Sequence, residues 1–141
     1  MEASAFRWLL DVDLPHVASD DLDALHVQDF DRLPGHAGLT EAKSLGRTLV
    51  TANLDFAGAW QIPGNHPGVV MFEAPPHDRE SLERNLHHVQ FRLRQYGRSL
   101  TLAGNRFLVK TDCTMEQLLP DGRQVRLEPW RTVRAPVLAA T

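Results

Sequence analysis

The feature that most constrains this chain is a run of β-formers that breaks into polar residues. Thr48, Leu49, Val50 and Thr51 form the run, led by Gly46 and Arg47, and Asn53, Asp55 and Phe56 follow it. An apolar run without polar alternation is the pattern of a strand buried on both faces, as in a parallel sheet. Such a sheet needs helices on both of its faces. Open α/β sheets hold their ligands beyond the carboxyl ends of the strands. Asn53 and Asp55 therefore stand where a site would form.

Three other segments carry the same signature. Residues 6–12 form a near-continuous apolar run that leads into Asp11 and Asp13, residues 24–27 are a short second run, and residues 68–73 a third. Between them, Pro15 is suited to the first turn of a helix, which predicts a helix of about two turns over residues 16–23. Residues 28–39 read as loop. Thr40 caps a short predicted helix over residues 41–45, and Gly46 ends it.

The strongest helical signal spans residues 78–96. Asp78 is its N-cap, Leu82, Leu86, Val89 and Leu93 share one stripe, and Gly97 stops it. Arg84, His88 and Arg92 lie off the stripe and are expected to face solvent, with Phe91 opposite it. Residues 99–102 and 107–111 read as a hairpin across Gly104 and Asn105. Residues 115–119 and 124–127 read as a second hairpin across residues 120–123. Residues 129–141 carry Trp130 but no periodicity and read as an arm. The order predicts an α/β domain with a mainly parallel sheet over residues 1–112, followed by a C-terminal β-hairpin and arm over residues 113–141.

The 141 residues suffice for one domain, burying about 70 % of the unfolded surface. A net charge of −3 gives no global attraction for nucleic acid or an anionic membrane, though it leaves room for a local basic patch. Cys113 is the single cysteine, which excludes an intrachain disulfide framework and a cysteine zinc site. No apolar run reaches the roughly 20 residues of a membrane helix. The N-terminal residues lack the pattern of a signal peptide. The expected location is the cytoplasm, with no membrane association.

Two pieces then stand out together. Leu9, Leu10, Asp11, Val12, Asp13, Leu14 and Pro15 form one; residues 46–56, ending in Thr51, Asn53, Asp55 and Phe56, form the other. Pro67, Gly68, Val69 and Val70 follow, and then the long helix. In this order and spacing the chain resembles the PIN-like proteins, related to PIN-domain ribonucleases and to the toxins of type II toxin–antitoxin pairs. The resemblance covers residues 6–112 and implies a compact PIN-like three-layer fold. It also implies carboxylates converging from several strand ends on Mg²⁺ or Mn²⁺, hard ions that prefer oxygen ligands. Such a metal activates water and stabilises charge on phosphate during RNA cleavage. By match, Asp11 and Asp55 carry the catalytic acids, Asp11, Asp13 and Asp55 the metal, and Thr51 the hydroxyl before the last acid. Asn53 stands where the family usually has an Asp, and Glu41 is nearest to its middle acid.

Each residue also has a plainer reading. Asp11 and Asp13 would cap a helix at Pro15. Asp55 would fix its own turn, Asn53 would be structural, and Glu41 would favour a helix N-terminus. The seven histidines lack ligand spacing and read as solvated or loop residues. Arg84, Arg92, Arg94 and Arg98 read as a solvated face or as contacts to RNA phosphate. Cys113 lacks a His partner that would activate it. Two functions follow. One is a metal-dependent ribonuclease, the toxin half of a pair whose partners are RNA and an antitoxin-like protein. The alternative is a degenerate PIN-like domain that binds or oligomerises, with the C-terminal segment building a homodimer.

Overall fold

The computed structural model describes residues 6–18, 22–29, 38–54, 66–74, 76–96, 102–111, 114–119 and 123–127. Seven strands among them form one sheet: β1 (Trp8–Leu10), β2 (Ala24–His26), β3 (Thr48–Thr51), β4 (Val69–Phe72), β5 (Arg106–Val109), β6 (Met115–Leu118) and β7 (Gln124–Leu127). Their spatial order is β2-β1-β3-β4-β5-β6-β7. The first five run parallel; β6 and β7 are antiparallel additions beside β5. Two helices accompany them, α1 (Gly38–Leu45) and α2 (Arg79–Tyr96), with a 3-10 turn at Val27–Asp29. This is an α/β fold built on a mixed sheet.

The apolar runs explain the packing. Alternate residues of a strand point to opposite faces, so a run with no polar positions fills both. Leu10, Val50, Val70 and Phe107 face one side and meet Leu82, Leu86, Val89 and Leu93 of α2. Leu9, Leu49, Val69 and Met71 face the other side and meet Ala42 of α1. Each such side chain taken fully out of water contributes about 1.5–3 kcal/mol. The predicted stripe of α2 is thus its core face, and Asp78 caps the helix, its Oδ1 accepting the Ser81 N–H at 2.7 Å.

Gly46 closes α1. At φ +68° it sits in the left-handed region, with Gly46 N–H donating to the Lys43 carbonyl and Arg47 N–H to the Ala42 carbonyl. That pair of bonds is a Schellman cap. Arg47 then reaches across the amino ends of the strands. Its Nη1 donates to the carbonyls of Trp8 and Asp23 and, at 2.8 Å, to Asp23 Oδ1. The Gly-Arg lead of the third strand therefore serves architecture, at the end of the sheet opposite Asp11.

Three expectations are corrected. Residues 15–18 hold no helix. Leu14 N–H instead closes a turn onto the Asp11 carbonyl at 3.0 Å. The hairpin over residues 99–111 also fails. Both edges of β5 are occupied, by β4 and by β6, so β5 has no edge left for it. Leu102 lies in a turn whose carbonyl accepts Asn105 N–H, and residues 99–101 lie outside the described residues. Arg92 and His88 are not on a solvated face: Arg92 is buried and His88 half-buried. A stripe drawn from the apolar residues alone understates how much of α2 is covered.

Candidate functional site

Strand order fixes where a site can form. From β1 the chain moves to β2 on one side, then returns to place β3 on the other. The two connections therefore leave on opposite sides of β1, and in open α/β sheets that divergence is where a ligand crevice forms, beyond the carboxyl ends of β1 and β3. Leu9 pairs with Leu49 and Leu10 with Val50. One residue further in that register, Asp11 comes beside Thr51.

Asp11 is held from three directions. Its N–H donates to the Val50 carbonyl at 2.8 Å. Oδ1 accepts the Val12 N–H at 2.7 Å, and Oδ2 accepts the Thr51 hydroxyl at 2.6 Å. Thr51 is fully buried, and its oxygen in turn accepts the Asn53 N–H at 3.0 Å. A rigid β-branched side chain on a central strand thus fixes the carboxylate rotamer. A carboxylate oxygen carries about two lone pairs, so each oxygen of Asp11 keeps acceptor capacity after these bonds. Asp11 is half-exposed, so that capacity is open to solvent at the carboxyl end of β1.

The other expected residues divide. Asp13 is exposed in the turn after β1. Asn53 is half-buried, and its backbone N–H donates to the Thr51 hydroxyl. Asp55 lies outside the described residues, as does the side chain of Glu41. Among the described residues no group of three or more His, Cys, Asp or Glu side chains gathers to hold a metal ion. Asp11 by itself fits a hard divalent ion, being an oriented carboxylate with free lone pairs at a sheet edge.

The sequence missed a residue that builds this edge. His26, read as solvated, is buried at the end of β2. Its Nδ1 accepts the Gln28 N–H at 3.1 Å and its Nε2 bonds the Leu14 carbonyl at 2.7 Å. A carbonyl only accepts, so Nε2 carries the proton and the tautomer is fixed. The imidazole thereby pins the far end of the turn that begins at Asp11. His16 stacks on it, ring centroids 3.8 Å apart, with its own Nε2 3.7 Å from Asp29. The register that pairs Leu10 with His26 was the needed signal, and it exists only once β1 and β2 are paired.

His66 is a second buried histidine, before β4. Its Nδ1 accepts the Gly68 N–H at 2.9 Å. Burial, followed by the charges of Arg106 and Lys43, lowers its pKa below the ordinary imidazole value. It sits at the amino ends of the strands and takes no part in the Asp11 edge.

Fold and edge together define the class: an open α/β sheet with an oriented carboxylate at its topological switch point. Comparison with protein-family models, with curated proteins and with solved structures finds no match for this chain.

Proposed function

We propose that this chain is a PIN-like protein with a three-layer core, acting as a metal-dependent endoribonuclease. The observation that carries the reading is the Asp11 carboxylate, fixed by Thr51 at the β1–β3 crevice. Asp11, Asp13 and Asp55 would hold Mg²⁺ or Mn²⁺, which would supply activated water and charge stabilisation at phosphate. Asp11 and Asp55 are the acids on which cleavage depends. The motif order of residues 9–15, 46–56 and 67–70 further supports this, and with it a toxin role beside an antitoxin-like partner in the cytoplasm.

The test is RNA cleavage with Mn²⁺, paired with calorimetric Mn²⁺ titration. Wild type is expected to cleave and bind; Asp11→Asn and Asp55→Asn each lose both. A wild-type protein that binds Mn²⁺ but cleaves no RNA removes the nuclease and keeps the metal site. One that does neither removes both.

Asn53 favours a second reading. A carbonyl oxygen there brings no charge, and charge count sets divalent-ion affinity. The domain would then be a degenerate relative that binds or oligomerises through residues 113–141. Truncation after Asp112 tests it: retained oligomeric state and retained partners refute it.

A further inference from the structure

We propose that the flank of α2 bearing His88 and Arg92 receives an oxyanion, a phosphate group or a carboxylate, gripped by the Arg92 guanidinium. Arg92 is only 8 % exposed. Its Nε and Nη1, together with His88 Nε2, are buried with no hydrogen-bond partner among the described residues. A buried charged donor left unpaired is among the costliest groups a fold can carry. Two side chains with such orphaned nitrogens, four residues apart, the charged Arg92 and the neutral His88, lie side by side on one helix flank. That makes them a cluster rather than two accidents.

The place is separate from the Asp11 edge. Gln90 accepts the Trp8 indole N–H at 2.8 Å, and Arg94 lies 5.3 Å over the Phe6 ring, so that flank of α2 faces β1. At about 3.6 residues per turn, His88 and Arg92 occupy the opposite flank. The helix also runs back from the carboxyl end of β4 to the amino end of β5, so Arg92, in its last turns, lies away from the β1–β3 crevice. The proposal does not rest on the nuclease reading.

The chemistry selects the ligand. A guanidinium offers parallel N–H donors in a rigid fork that matches carboxylate or phosphate oxygens two at a time. Burial and the neighbouring Arg92 charge hold His88 below the usual imidazole value, so the ring is a neutral partner in a positive field. Nε and Nη1 belong to different edges of the guanidinium, so an oxyanion here would take one of these orphaned donors, with Nη2 completing the fork, and compensate the buried charge.

The experiment titrates the full chain with inorganic phosphate and, separately, with acetate, ionic strength being held constant with chloride. The ¹⁵N–¹H signal of Arg92 Nε and the His88 ring signals are followed. A saturable shift is expected with at least one ion. The stronger of the two says whether the natural source is phosphate-bearing or an acidic side chain. Arg92→Met should abolish the shift and, without added anion, unfold at the same or higher urea concentration, because a buried unpaired charge has gone. Arg92→Lys, which folds without the fork, should weaken binding at least about tenfold. No saturable shift with either ion overturns the proposal, as does an undiminished shift in both variants. A lower urea midpoint for Arg92→Met also overturns it, since that would mean the chain's own residues already pair with Arg92.

Discussion

Replacing Thr51 by Val tests the link on which the candidate edge depends. Val keeps the β-branched shape and the strand preference of Thr, so only the hydroxyl is lost. Two bonds go with it: the one donated to Asp11 Oδ2 at 2.6 Å and the one accepted from Asn53 N–H at 3.0 Å. A bond to a charged group contributes about 1.5–3 kcal/mol and a neutral one about 0.5–1.5 kcal/mol. Against this, the methyl that replaces the hydroxyl is fully buried, which returns roughly 1 kcal/mol. The expected net destabilisation is about 1–3 kcal/mol, read as a lower urea midpoint at unchanged slope.

Thr51→Ser keeps the hydroxyl and should recover most of the loss. In a double-mutant cycle with Asp11→Asn, the coupling should exceed about 1 kcal/mol. A coupling below about 0.5 kcal/mol would show that Thr51 does not hold the carboxylate. If Asp11 is a metal ligand, Thr51→Val should also weaken Mn²⁺ binding by about 10- to 100-fold, the usual effect of losing a group that orients a ligand.

Two further outcomes follow from the glycine and histidine before β4. Gly68 has φ +110°, and a Cβ there would lie 2.5 Å from the Leu102 carbonyl oxygen. Gly46, at φ +68°, has open space around it. Both alanine variants incur left-handed strain of about 1–2 kcal/mol, but Gly68→Ala adds about 1–3 kcal/mol of overpacking. Equal urea midpoints for the two would disprove the contact. For His66, the folded pKa is lowered below 6.5, so the unfolded chain binds more protons between the two values. Stability is therefore lost as pH falls through that window. His66→Asn keeps an acceptor for Gly68 N–H and should flatten part of the fall seen in urea midpoints between about pH 7 and about pH 5. His88 has the same sign and leaves a residual slope. An unchanged slope in His66→Asn would refute the assignment.

The motif residues also turn out to differ in purpose. Gly46 and Arg47 end a helix and tie the amino ends of three strands together. Gly68 permits a close passage against Leu102. Asp11 and Thr51 lie at the other end of the strands, where the Thr51 hydroxyl bonds the half-exposed Asp11 carboxylate. Similarity of pattern alone treats all of these residues alike.

Much of the fold is written locally. Continuous apolar runs, the stripe of α2, the cap at Asp78 and the stop at Gly46 are choices made within a few residues, where propensity and side-chain periodicity act. The sequence thus determined the strands β1 to β4, the two helices among the described residues and the acid at the end of β1. It misplaced a helix after Pro15, where the chain instead turns from Asp11 to Leu14, and a hairpin before β5, whose two edges are taken by β4 and β6. The partners of Asp11, the burial of His26 and His66, and the orphaned donors of Arg92 all depend on residues dozens of positions apart. Those distances are set by strand order and register, and only the tertiary structure decides them.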